Sequence, residues 1–130
     1  MRPLEDFEEI LPFLRPGSSV VLHSACAEPR HLSSQLALHA KSLRNVRLYT
    51  LMPMGQALNA AAKIGSGLSL VTFFPGKGLR EAANAGRVEM MRVPLSSIPK
   101  LFRDRMLTVD ILLLQVSPPD ENGTDRKSVV

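Results

Sequence analysis

The side chains in this 130-residue chain that could do chemistry are three histidines, one cysteine and a scatter of acids, and their spacing limits what they can do. His31 and His39 stand eight residues apart, two helical turns, and neither they nor His23 has a cysteine or acid at the spacing that completes a four-ligand set. No metal site is expected on that pattern. Cys26 has no evident base beside it, so a small buried thiol is expected rather than a nucleophile. Asp104 and Asp110 lack the spacing of a general acid/base dyad, and Asp110 is expected to cap or pair locally. Met52, Met54, Met90 and Met91 read as core filler, and His39 as part of a solvated helix face.

Three loops carry more information than these single residues. The run Gln115-Val116-Ser117-Pro118-Pro119-Asp120-Glu121-Asn122-Gly123 takes an apolar strand into two prolines, an acid and a glycine. The prolines fix an extended exit and remove two N–H donors. Asp120 can bond its own backbone and Gly123 can take a positive φ, so composition alone favours a rigid turn over a site. In Phe73-Phe74-Pro75-Gly76-Lys77-Gly78-Leu79-Arg80, two glycines before a helix could offer backbone N–H groups to an anion. The same residues also make an ordinary strand-to-helix turn. Glu81 stands where a dinucleotide fingerprint needs its third glycine, and no GK[ST] phosphate loop is present, which disfavours a nucleotide fold of either kind. In Ser24-Ala25-Cys26-Ala27-Glu28-Pro29, small residues would let a ligand approach backbone, and Glu28 is expected to serve the N-terminus of the following helix.

The elements that must hold these loops alternate between strand and helix. Leu4, Phe7, Ile10, Leu11 and Leu14 recur at helical spacing, predicting an opening amphipathic helix frayed by Pro12 and stopped at Arg15-Pro16-Gly17. Strands are predicted at 19–23, 46–50, 68–74, 88–93 and 110–117. Between them fall a helix with a stripe of Leu32, Leu36, Ala40 and Leu43, an Ala-rich helix over 56–64, a short helix around Leu79 and Ala82 closed by Gly86, and one capped by Ser96 or Ser97 that carries Ile98, Leu101 and Phe102. Ile111-Leu112-Leu113-Leu114 has the unbroken apolar run of a strand buried on both faces. The pattern predicts an α/β domain whose mostly parallel sheet is flanked by helices. Ligands of such sheets sit outside the carboxyl ends of the strands, which places the three loops, with Leu51–Gly55, on the functional edge.

Composition is that of an ordinary globular domain, 45% hydrophobic and 22% charged, with no Trp. The acidic first nine residues contain no signal-peptide core and no apolar run approaches a membrane span, so no membrane association is expected. A lone cysteine rules out an intrachain disulfide and suits a reducing compartment, the cytoplasm. The net charge is +4, and residues 10–123 hold 13 Lys/Arg against 7 Asp/Glu; this suits an anionic ligand such as a nucleotide or CoA phosphate, while charge alone favours a solvated basic surface. The basic residues are scattered with few aromatics among them, so nucleic acid is not an expected partner.

The order of these loops resembles the N-terminal domain of the acetyl-CoA hydrolase/transferase family, which includes 4-hydroxybutyrate, acetate and succinate CoA-transferases. The most specific piece is Asp110-Ile111-Leu112-Leu113-Leu114-Gln115-Val116-Ser117-Pro118-Pro119-Asp120 with Gly123. Phe73-Phe74 through Arg80 with Gly86-Arg87, and Val93-Pro94-Leu95-Ser96-Ser97-Ile98-Pro99, are similar to two further family segments. The resemblance implies a CoA-transferase-like α/β domain over 1–123, with 124–130 a tail outside the family pattern. It implies an enzyme that moves CoA between an acyl-CoA and a small carboxylate, or water, through a glutamyl-CoA intermediate. The reactive glutamate would lie in a C-terminal catalytic domain, so no residue of this chain is expected to be catalytic and the chain alone is expected to be inactive. Coenzyme A is then a substrate, with no tightly bound cofactor, and self-association is expected. Carried over by motif as substrate-binding are Ser117, Pro118, Asp120 and Gly123, together with Pro75, Gly76, Gly78, Glu28 and Pro29. A non-enzymatic domain of the same fold that binds a small anion or CoA ester is the alternative. A sugar-phosphate isomerase-like enzyme shares the fold but finds no acid/base set here.

Overall fold

The computed structural model describes residues 6–63, 67–118 and 121. Strand β1 spans Ser19–Leu22, β2 Val46–Thr50, β3 Leu68–Thr72, β4 Glu89–Met90 and β5 Ile111–Leu113. Between them lie helices α1 (Arg30–His39), α2 (Ala57–Lys63), α3 (Gly76–Asn84) and α4 (Ile98–Arg103). Among the described residues the strands form one sheet in the order β4-β3-β2-β1-β5, and every pairing is parallel.

That order fixes the layers. The chain steps from β1 to β4 in one direction, then returns to the far side of β1. Right-handed crossovers therefore place α1, α2 and α3 on one face and α4 on the other. The first face holds the core, where Val20, Leu22, Leu48 and Leu70 of the strands meet Leu36, Leu58, Leu79 and Ala82 of the helices, all at 4% exposure or less. Burying such side chains contributes about 1.5–3 kcal/mol each. On the second face, Phe102 of α4 meets Tyr49 edge-on at 6.1 Å and Phe73 at 6.4 Å, while Tyr49 and Phe73 stack at 6.5 Å. The short α4 covers only the carboxyl half of this face. Tyr49 and Val71 are buried beneath it, whereas Arg47 and Ser69, nearer the amino ends, stay exposed.

Several local readings hold. The α1 stripe buries Leu36, and Ala40 and Leu43 continue it inward. Gly86 takes φ +69° after α3, its N–H donating to the Ala83 carbonyl and that of Arg87 to Ala82, the two bonds of a Schellman close. Others give way to tertiary context. The opening segment is two 3-10 turns, Phe7–Glu9 and Leu11–Phe13, rather than one α-helix. Pro12 has no N–H to donate, and an Asp6–Glu9 capping box fixes the first turn separately. α4 forms with Ser97 at its N-cap, but no serine side chain bonds to its end.

The apolar run Ile111–Leu114 is buried on one face only. Leu113 faces the core, while Leu112 and Leu114 are 54% and 42% exposed, because β5 pairs with β1 alone and α4 does not reach over it. Asp110 pairs at long range rather than locally. Its carboxylate accepts from the Ser19 N–H at 2.7 Å, and its own N–H donates to the Ser19 carbonyl at 2.9 Å. This reciprocal clasp one residue before the ladder sets the β1–β5 register.

Candidate functional site

The chain leaving β3 turns toward the face of α1–α3, while the chain leaving β4 turns toward the face of α4. Adjacent strands whose exits diverge in this way leave a crevice beyond their carboxyl ends. A cleft of about 370 Å³ lies there. Leu51 and Met52 line it from the β2 exit, Phe73 and Phe74 from the β3 exit, and Val93, Leu95 and Ile98 from the return segment after β4. A smaller cavity of about 120 Å³ shares Leu51, Phe73 and Ile98 and continues to His23, Ser24 and Leu112 at the ends of β1 and β5. Together they run along the carboxyl edge of the sheet.

The walls are positioned by one buried carboxylate. Glu28, only 2% exposed, projects from the loop after β1 into the loop after β2. Its Oε2 accepts from the Met54 N–H at 2.7 Å and the Gly55 N–H at 2.9 Å, and its Oε1 accepts from the Ser33 hydroxyl at 3.3 Å. Glu28 thus ties two post-strand loops together instead of capping the backbone of α1, the role read from its place in the sequence. A further tie, from the Ala25 N–H to the Met52 carbonyl at 3.0 Å, runs beside it.

The two glycines of the Phe73–Arg80 run act on the same loop from the other side. Both lie inside the first turn of α3 and are buried. The Gly78 N–H donates to the Pro53 carbonyl at 3.0 Å, and a side chain on Gly78 would strike the backbone of Pro53 and Gly55. Gly76, at φ +52°, has Pro53 O 2.9 Å from where its Cβ would stand. These glycines let a helix touch a loop backbone directly, so at least the Gly78 N–H is already committed within the protein.

Of the residues carried over by motif, Glu28, Gly76 and Gly78 are therefore brought together around residues 53–55, with Pro29 buried beside Glu28 and Pro75 half-buried ahead of α3. Ser117 is half-buried and Pro118 exposed on the exit of β5. That exit is three strand spacings from β3, about 14 Å at about 4.8 Å per spacing. Asp120 and Gly123 lie outside the described residues, as does the tail 124–130. Cys26 is exposed, contrary to the expected buried thiol, because its 3-10 turn rides on the outside of the β1 exit. His39 is half-buried instead of solvated. Its ring lies 5.4 Å from that of Phe7, and its Nδ1 is 2.9 Å from the Gln35 carbonyl. The methionines are not core filler either. Met52 lines the cleft, and Met54 and Met90 are 41% and 38% exposed.

The return segment, read in sequence as a family resemblance leading into a capped helix, was given no part in the site. Val93, Leu95 and Ile98 build one wall of the cleft, and the available signal was a pair of prolines bracketing apolar residues directly after a strand.

One polar group stands alone here. Thr50 Oγ1, at the end of β2, is buried and is the one buried side-chain oxygen or nitrogen among the described residues without a hydrogen-bond partner. Thr50→Val is expected to raise stability by about 1 kcal/mol, since a buried unpaired hydroxyl carries a desolvation cost of about 1–3 kcal/mol. A higher urea midpoint at unchanged slope would show it.

At the far, amino-terminal end, Arg47 pairs with Glu89 at 2.6 Å across the β3 strand. That hydrogen bond to Glu89 chiefly raises the Arg47 pKa above its ordinary value. Both side chains are about half exposed, so the pair adds little stability.

A parallel sheet whose diverging exits flank an apolar cleft defines an α/β domain with a candidate ligand site. Its sequence gives the class a family. Residues 1–127 match the acetyl-CoA hydrolase/transferase N-terminal domain, and the chain belongs to that family. It is 32% identical over 119 residues to a succinyl-CoA:acetate/propanoyl-CoA:succinate CoA transferase of Fasciola hepatica, covering 89% of this chain and 24% of that protein. It is 28% identical over 116 residues to a 4-hydroxybutyrate coenzyme A transferase of Clostridium kluyveri, covering 89% of this chain and 27% of that protein. The chain thus spans about a quarter of the length of the curated relatives it matches. No helix among the described residues is long and apolar enough to cross a membrane.

Proposed function

We propose that this chain forms the acyl- and acceptor-handling wall of a CoA-transferase or acyl-CoA hydrolase, facing a reactive glutamate supplied from outside it. In this reading that carboxylate attacks the acyl-CoA carbonyl and expels CoA thiolate, leaving an acyl-glutamyl anhydride. The thiolate attacks the glutamyl carbonyl and releases the first carboxylate, giving glutamyl-CoA. An acceptor carboxylate repeats the two steps in reverse, or water hydrolyses the thioester.

The observation that carries this reading is the apolar cleft at the diverging exits of β3 and β4, in a chain of this family. The placement of three of the chain's own glutamates supports an external nucleophile. Glu28 is held by backbone N–H groups, Glu81 accepts from the Asn59 amide and Glu89 from Arg47. The β5 exit, with Ser117, Pro118, Asp120 and Gly123, would meet the substrate beside the nucleophile. Pro75, Gly76, Gly78, Glu28 and Pro29 would shape the opposite wall. Coenzyme A acts as substrate, and no tightly bound cofactor is invoked. The exposed row Leu112, Leu114 and Val116 favours contact with the glutamate-bearing domain and self-association. The lone, exposed Cys26 suits the cytoplasm.

The test is a chimera in which this chain replaces the matching segment of the Clostridium relative. CoA transfer from acetyl-CoA to 4-hydroxybutyrate, followed chromatographically, is the expected result, with none from the 130-residue chain alone. A chimera that is folded by circular dichroism and binds acetyl-CoA, yet transfers no CoA, would count against the reading.

A further inference from the structure

The geometry points to an acyl chamber that selects an uncharged aliphatic chain over a dicarboxylic one; this rests on the CoA-ester reading above and names its substrate class. All side chains lining the larger cleft are apolar. The rim is also poor in donors. Met52, Phe74 and Val93 are each followed by proline, at Pro53, Pro75 and Pro94, so three of the backbone positions next to lining residues have no N–H to give.

Several of the backbone donors nearby are already committed. The Phe73 N–H donates to the Thr50 carbonyl, the Met91 N–H to the Thr72 carbonyl, and the Met54 and Gly55 N–H groups to Glu28. The Thr72 hydroxyl donates to the Phe74 carbonyl at 2.7 Å. A distal carboxylate, as in a succinyl group, would lose part of its hydration in this space and meet only apolar side chains in its place. A methylene chain meets only apolar surface. The volume, about 370 Å³, lies within the size range of small-molecule sites and exceeds what an acetyl group would fill.

The experiment is a titration of the full chain, methyl-labelled at Met and Ile, with acetyl-, butyryl-, hexanoyl- and succinyl-CoA, and with hexanamide as a CoA-free probe. Hexanamide is expected to shift the Met52 and Ile98 methyl resonances. Affinity is expected to rise from acetyl- to hexanoyl-CoA by about fourfold per methylene. Succinyl-CoA is expected to bind at least tenfold more weakly than butyryl-CoA. Leu95→Arg, at a position 68% exposed and therefore tolerant of charge, should improve succinyl-CoA binding and weaken hexanoyl-CoA binding.

A flat chain-length series, succinyl-CoA binding as tightly as butyryl-CoA, or Met52 and Ile98 methyls unmoved by hexanamide would each overturn the inference. Hexanamide docking at those methyls while no CoA ester binds would support the apolar chamber and sink the CoA-ester reading instead.

Discussion

Glu28→Ala is expected to destabilise the domain by about 2–3 kcal/mol, from two part-buried backbone N–H groups left without their acceptor, at the lower half of about 1–3 kcal/mol each. The carboxylate is the shared acceptor for Met54 and Gly55, and among the described residues those two N–H groups have no other side-chain acceptor. Against a total stability of about 5–15 kcal/mol for a domain of this kind, that loss is large. Glu28→Gln separates geometry from charge. A glutamine can still turn one oxygen toward both N–H groups and its amide toward the Ser33 hydroxyl, so it is expected to lose about 1 kcal/mol, the difference between a charge-assisted and a neutral bond. Urea unfolding of the two variants measures this. Equal losses would mean that the negative charge, rather than the acceptor geometry, holds the loops.

Gly78→Ala is expected to destabilise by about 1–2 kcal/mol even though alanine is the better helix former. The propensity gain is about 1 kcal/mol. Opposing it, the new methyl would meet the Gly55 carbonyl oxygen well inside contact distance and the Pro53 carbonyl oxygen at 2.7 Å. Both are backbone atoms and cannot rotate away, so α3 or the 53–55 loop must shift, and overpacking of that kind costs about 1–3 kcal/mol, occasionally more. The neighbouring Lys77→Ala, exposed on the same turn, should stay within about 0.5 kcal/mol of the parent. Thermal unfolding of the pair isolates the glycine effect. A Gly78→Ala protein as stable as the parent would show that the helix and loop backbones are not in contact.

Local pattern carried much of the fold. β2 was legible residue for residue, since Val46-Arg47-Leu48-Tyr49-Thr50 is β-rich and bounded by turn residues. The α1 stripe and the Gly86 close were legible because their causes lie within one helical turn. What local pattern could not show is which surface meets which. Leu112 and Leu114 look like core in sequence, yet β5 has only one neighbour and lacks a helix over its second face. Asp110 bonds a residue 91 positions away, a partner no window could reveal.

The site divided in the same way. The loops at Glu28, Gly76 and Gly78 were singled out by their composition and family pattern. Their actual work, holding the 52–55 loop from two sides, follows from the strand order. The wall formed by Val93, Leu95 and Ile98 depends on the chain crossing back over the sheet, which only the β4-to-β5 connection establishes.

Hydrogen exchange of the chain with and without butyryl-CoA reads the location of the ligand most directly. Slowed exchange is expected at 51–55, 73–78 and 91–98, around the diverging exits, with residues 44–47 and 105–108 at the amino-terminal edge unaffected. Protection at that opposite edge, or none anywhere at saturating ligand, would contradict a thioester cleft at the carboxyl ends of β3 and β4.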